Sequence, residues 1–480
     1  MACALPNDVL LMVGEQLNQR TDRWKLIFVC RRFHDLFLPL VYRTALLHNW
    51  RAARSFFNAV TTRPSLANAV RELNLSGWQS APISNTDRME LKASVALQEW
   101  VKTSSHSQEE MAQWERGLEN GLGDTWIALL LPLLNQLRQL HLVYVSQTPC
   151  LNRTMRRAIS RERPFKSNPA FRHLREVSLH RRGHIEDSEP REYSDGTNGP
   201  SSDLVLSFFK LPSMRSVVAN SVVDPSIVPT GNDDEDNKHV NEQDISEPPA
   251  GFSSISEIDL RASSGNHGMD ALVASCADLR SFKYQHSDSH VDSHGYQPTA
   301  FYRSLTRSKG TLQTLWLDHY GDHYPFTAAG LNQTHDEWFG SLADFAALRE
   351  IRIRLPNLLD IRYQNEPTTP LLNCLPSSLE ALYIEGCEER HVSILASQLQ
   401  TVIKNRRARM PKLTRVDIEG AFRNATPEES GDTSGLPLET PDSTIKSKVL
   451  QAMEPLHVDC LTAGVELHLH DRAFVHTPPV

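Results

Sequence analysis

The sequence predicts an α/β chain in which a small helical unit precedes an irregular repeat solenoid, a curved parallel sheet with outer helices. Three observations predict it. A six-residue template with apolar first, fourth and sixth positions returns along most of the chain. Stretches of helical composition separate its copies, often bounded by Gly, Pro, Asn or Ser. Ahead of the first copy, "LPNDVLLMVGEQLNQRTDRWKLIFVCRRFHDL" concentrates Leu, Val, Ile and Phe between residues 5 and 36.

Composition bounds the class. A chain of 480 residues with 40% hydrophobic content can bury a large core. A formal net charge of -8 argues against a surface built as a whole to hold nucleic-acid phosphates. The 7 cysteines form no CxxC pair, so neither a zinc site nor a disulfide framework is expected, and a reducing compartment, cytoplasm or nucleus, fits best. No basic segment precedes the first apolar residues and Asp8 and Glu15 interrupt them, so this stretch is expected to stay on the mature protein. No run approaches the roughly 20 apolar residues of a membrane span.

The opening unit comes first. Asp8 stands near a helix N-terminus, and Val9, Leu10, Val13 and Leu17 follow at spacings that make one apolar face. A break at "NQRTD" releases a second helix, with Asp22 as its expected N-cap. Leu26, Val29, Cys30, Phe33 and Leu36 then continue an apolar stripe that Pro39 should stop. Helices this short bury too little surface to stand alone, so a partner is expected.

The template follows as "VRELNL" from Val70, "LRQLHL" from Leu137, "LREVSL" from Leu174 and a degraded "MRSVVA" from Met214. It continues as "ISEIDL" from Ile255, "LRSFKY" from Leu279, "LQTLWL" from Leu312, "LREIRI" from Leu348, "LEALYI" from Leu379 and "LTRVDI" from Leu413. Its last apolar positions alternate with polar or aromatic residues, the period of a strand with one buried face. The first interval, 67 residues, is long enough to hide a missing unit. A unit of strand, loop and helix cannot bury its own apolar face, so neighbours must stack. A doubly wound α/β domain also alternates strands and helices, but no Gly-rich phosphate turn follows these strands. The pattern resembles the leucine-rich repeats over roughly residues 66–475, although the usual Asn after the strand is mostly absent.

The opening unit resembles the F-box, whose signature starts with Leu-Pro and an acidic residue and later carries Val-Cys-Arg and a large aromatic. Here these stand as Leu5, Pro6 and Asp8, then Val29, Cys30, Arg31 and Phe33. With the repeats, the chain resembles fungal F-box proteins with irregular leucine-rich repeats. The resemblance implies an F-box-like domain at 1–46, a linker helix at 47–65 and a repeat region at 66–475. It implies a substrate-recognition subunit of a ubiquitin ligase without catalysis or cofactor, docking on a Skp-type adaptor and through it on a cullin and RING core. Leu5, Pro6, Val9, Leu10, Leu17, Leu26, Val29, Cys30 and Phe33 would contact the adaptor as a helix face in an apolar groove. Capping of the repeat stack is the alternative role for the same residues. A scaffold without client ubiquitylation is the alternative function, and a metal-dependent or hydrolytic enzyme the third; no GxSxG, HExxH or P-loop supports the last.

A client would meet the concave row formed by Asn74, His141, Ser178, Asp259, Lys283, Trp316, Arg352, Tyr383 and Asp417. Within it Lys283, Trp316, Arg352 and Tyr383, with Arg354 one position outward, are the candidate substrate-binding residues, since exposed aromatics and arginines anchor interfaces. Arg352 and Arg354 would suit a phosphate. The alternative is a solvated face in which Trp316 packs on Tyr383 and the arginines pair with Asp318 and Glu385. "HSDSHVDSH" spaces His286, His290 and His294 four apart, but it reads as a loop rather than a metal site. Six basic residues from Arg153 to Lys166 read as a solvated helix face, with attraction of an acidic substrate or a nuclear-import receptor as the alternative. Polar segments near 186–203, 228–250 and 424–443 read as disordered loops.

Overall fold

A computed structural model describes residues 5–17, 19–78, 83–144, 148–165, 170–181, 202–224, 250–287, 295–319, 326–327, 330–331, 334–361, 366–420, 422 and 445–471. The three polar segments expected to be disordered lie outside these residues, apart from their edges at 202–203 and 250. The chain divides into two compact units, one of residues 1–222 and 252–255, the other of 223–251 and 256–480.

In the first unit, α1 (Asn7–Gln16), α2 (Arg20–Leu26) and α3 (Arg31–Val41) pack around Leu10, Ile27, Phe33, Phe37 and Val41. Three local expectations are corrected. Asp22 lies inside α2 and pairs with Lys25 at 2.9 Å, while Gln19 is the residue before the helix. The stripe from Leu26 to Leu36 is cut by a turn at 27–29, after which Cys30 caps α3, its Sγ accepting the Phe33 N–H at 3.5 Å. Pro39 lies within α3, where it deletes one late backbone bond without ending the helix.

The strands begin earlier than the template. β1 (Thr44–Leu46) pairs in parallel with β2 (Glu72–Leu75), and between them run α4 (Trp50–Thr62) and α5 (Pro64–Ala67). Asn49 caps α4 by accepting the Ala52 N–H at 3.0 Å. The long first interval hides no strand among its described residues. It carries α6 (Asn85–Ala93), α7 (Val95–Ser104), α8 (Gln108–Glu119) and α9 (Gly123–Leu130). β3 (Gln139–Tyr144), α10 (Pro149–Ser160), β4 (Glu176–Arg181), a helix at Ser202–Phe209 and β5 (Ser216–Asn220) complete the unit, with β2 to β5 paired in parallel in chain order.

The second unit repeats the scheme. Its strands are β6 (Glu257–Ser263), β7 (Ser281–His286), β8 (Thr314–His319), β11 (Glu350–Arg354), β12 (Ala381–Cys387), β13 (Arg415–Gly420) and β14 (Glu466–Asp471). They pair in parallel in that order, and β9 (Phe326–Thr327) with β10 (Gly330–Leu331) forms a separate antiparallel pair. Helices at Asp270–Ser275, Pro298–Leu305, Val392–Lys404 and Ser447–Ala463 connect them.

The first apolar residue of every template copy, from Val70 to Leu413, is at most 1% exposed. Each such Leu or Ile contributes about 1.5–3 kcal/mol by leaving water. Strand order follows chain order within each unit, whereas a doubly wound sheet reverses it, so each unit is a stack of the α/β solenoid type. Among the described residues, no helix is long and apolar enough to cross a membrane.

Candidate functional site

The strand period turns alternate residues of the second unit away from its core. Asp259 stands opposite Lys283, Lys283 opposite Trp316, Trp316 opposite Arg352, Arg352 opposite Tyr383, and Tyr383 opposite Asp417. In the first unit Asn74, His141 and Ser178 form the corresponding row. The predicted rows are therefore in register.

In the second unit the row is a ladder of cations and rings. Lys283 Nζ lies 3.7 Å from the Trp316 ring centroid. The Arg352 guanidinium lies 5.8 Å from Trp316 and 4.6 Å from Tyr383, so it fills the space where direct packing of the two rings was the alternative expectation. Tyr383 stacks on His470 at 5.6 Å and donates its hydroxyl to Glu419 Oε2 at 2.9 Å. His470 Nε2 is 2.8 Å from Asp417 Oδ1, and the Asp417 carboxylate also takes two hydrogen bonds from Arg415, one on each oxygen.

The arginines are already matched by acids. Arg352 pairs with Asp318 at 3.3 Å and, more closely, with Glu385. Arg354 pairs with Asp336 at 3.0 Å. Burial and the adjacent Asp318 push the Glu385 carboxyl well above its ordinary range. The pairing half of the alternative reading is thus realised for Arg352, whereas Arg354 pairs with Asp336 instead of Asp318 or Glu385, and neither arginine offers a free fork to a phosphate.

At the N-terminal helices the structure separates the candidate contacts. Leu5, Pro6, Val9 and Val29 are exposed, and Leu17, Leu26 and Cys30 are half-buried. Leu10 and Phe33 are 5% and 7% exposed and belong to the internal core. Sequence reasoning left Met12, Val13, Trp24 and Phe28 out of the contact set, yet all four are exposed apolar side chains. Trp24 and Phe28, four residues apart across the end of α2, stack at 6.4 Å. Their i, i+4 spacing was the available signal.

Two other sequence signals resolve differently. His286 ends β7 facing inward, 1% exposed, with its Nδ1 2.8 Å from the Tyr284 hydroxyl. His290 and His294 lie outside the described residues, among which no cluster of His, Cys, Asp or Glu could hold a metal. In the basic segment, Arg157 of α10 is buried against Glu110 at 2.7 Å, and Arg153 donates to Gln113 at 2.6 Å. Those two are packed, whereas Arg156, Arg161 and Arg163 are exposed, as the solvated reading expects.

A family model described as a leucine-rich repeat domain matches residues 37–426. No curated protein matches the chain.

Proposed function

From a chain that belongs to the leucine-rich repeat domain family, we propose a non-catalytic recruiting subunit of a Skp-cullin-F-box ubiquitin ligase, with an adaptor dock at its N-terminus and a client-binding repeat face. The repeat domain is a protein-interaction scaffold. The adaptor reading rests on α1 to α3, which sit at the edge of the matched region and leave Leu5, Val9, Met12, Val13, Trp24, Phe28 and Val29 exposed around a small core. A pure cap would turn these side chains toward the repeats; this exposure suits an apolar groove on a partner. Leu17, Leu26 and Cys30 border the same surface in this reading, while Leu10 and Phe33 hold its helices together. The client face is the ladder of Lys283, Trp316, Arg352, Arg354 and Tyr383.

The test is a pull-down of the full chain with a Skp-type adaptor beside a Val9→Asp/Val29→Asp variant. Capture of the parent alone supports the adaptor dock. A folded parent that captures no adaptor overturns it and leaves the repeat scaffold.

A further inference from the structure

The residue before each strand of the first unit is an arginine. Backbone bonds stack these positions directly: Arg71 N donates to Arg43 O at 2.8 Å, Arg138 N to Arg71 O at 2.7 Å, Arg175 N to Arg138 O at 2.8 Å and Arg215 N to Arg175 O at 2.8 Å. Five guanidinium groups therefore start from points about 4.8 Å apart along one edge. Their charges oppose one another; burial, Arg138 and Arg43 all hold Arg71 below the usual guanidinium range.

Little within the unit offsets this repulsion. Arg43 reaches Glu15 only at 3.7 Å, with both side chains about half exposed. Among the described residues, Arg71, Arg138 and Arg175 have no ion pair. The adjacent strand carboxylates turn elsewhere: Glu72 accepts from Thr44 at 3.1 Å and Glu176 from Gln139 at 2.6 Å. Arg71 and Arg215 are instead braced on the preceding turn, donating to the carbonyls of Asn68 and Pro212.

The second unit supplies an internal comparison. The same backbone rungs there join Ser256, Arg280, Gln313, Arg349, Glu380 and Thr414. Its two arginines are paired, Arg280 with Asp278 at 2.7 Å and Arg349 with Glu380 at 3.8 Å. The rung thus needs no arginine, and three neighbouring ones, Arg71, Arg138 and Arg175, that have no ion pair among the described residues call for an explanation outside the backbone.

We propose that the edge formed by Arg71, Arg138 and Arg175 is a docking strip for an acidic peptide segment of a partner protein. These three rungs span roughly 10 Å, about the length of three extended residues, so a short run of Asp or Glu reaches all of them. A nucleic-acid strand is the poorer match, because the strip is one residue wide, has no aromatic among its rungs and is flanked by Glu72 and Glu176. The strip is separate from the ladder of the second unit and does not depend on adaptor binding.

The experiment measures fluorescence polarisation of a labelled decaglutamate peptide with the full chain, and of a thymidine decanucleotide in parallel. The peptide is expected to bind, to weaken with added salt and to lose about tenfold or more in affinity in an Arg138→Gln/Arg175→Gln variant. An Arg280→Gln/Arg349→Gln variant removes the same charge from the other unit and should bind as the parent does. Absence of peptide binding, equal losses in both variants, or tighter binding of the oligonucleotide overturns the proposal. The melting temperature gives a second readout: relief of repulsion leaves it unchanged or raised in Arg138→Gln/Arg175→Gln, whereas a purely structural role lowers it.

Discussion

Arg157 Nη2 lies 2.7 Å from Glu110 Oε2, with each side chain 8% exposed, and this pair ties α10 to α8. Arg157 also donates to the Ser104 carbonyl at 2.6 Å, while Glu110 accepts the His106 N–H at 2.8 Å and the Trp114 indole N–H at 3.1 Å. The helices that fill the first interval are thus clasped by a saturated polar knot. Arg157→Met would strand a buried carboxylate and is expected to cost about 3–5 kcal/mol in chemical denaturation. Glu110→Leu/Arg157→Met should recover much of that loss, since neither charge then remains.

The same pair sets an acid limit. Burial raises the Glu110 carboxyl, but the Arg157, His106 and Trp114 bonds outweigh it and bring the pKa down to about 2. A depressed carboxyl contributes stability above its unfolded value and loses it as pH falls toward the folded value. The parent should therefore lose stability between the ordinary glutamate range and about 2. Glu110→Gln should flatten that part of a melting-temperature profile; an unchanged profile would show that Glu110 does not govern it.

At the N-terminal helices, stability and surface chemistry should separate. Phe33 is 7% exposed and meets Phe37 edge-on at 5.2 Å, so Phe33→Ala is expected to cost about 3–5 kcal/mol. Val9 and Val29 are 40% and 62% exposed, and replacing either by Asp should move stability by no more than about 0.5 kcal/mol. Circular-dichroism melts of the single variants check both halves.

Coupling on the ladder is measurable directly. In a double-mutant cycle of Lys283→Met and Trp316→Leu, the contact at 3.7 Å should show an interaction of about 0.5–1 kcal/mol. A coupling indistinguishable from zero would mean that the ammonium is held by water rather than by the ring.

The repeat rows were legible because a strand exposes every second side chain, and the apolar template fixed the phase of each copy. β1 escaped because Thr44–Leu46 is only 3 residues long, and β14 because Gly464 stands at the template's first apolar position although Leu467 and Leu469 hold the fourth and sixth. In the N-terminal helices an apolar periodicity identifies a face, not which residues a tertiary neighbour covers; hence Leu10 and Phe33 went inside while Trp24 and Phe28 stayed out. The pairing of Arg157 with Glu110 joins residues 47 positions apart, which no local pattern encodes. The arginine strip lay at a template position that apolar counting passes over.

Glu385 is buried beside Arg352 and Asp318 on the ladder. Burial and Asp318 raise its carboxyl well above the ordinary glutamate range, against the attraction of Arg352. The folded state thus holds a proton that the unfolded state releases, and stability falls as pH rises from the unfolded value through the folded one. Glu385→Gln keeps the shape without the titration. It should remove this decline, so its melting temperature relative to the parent should improve as pH rises through that window. Parallel melting curves across the window would instead place a permanent carboxylate on Glu385, with Arg352 balancing it at every pH.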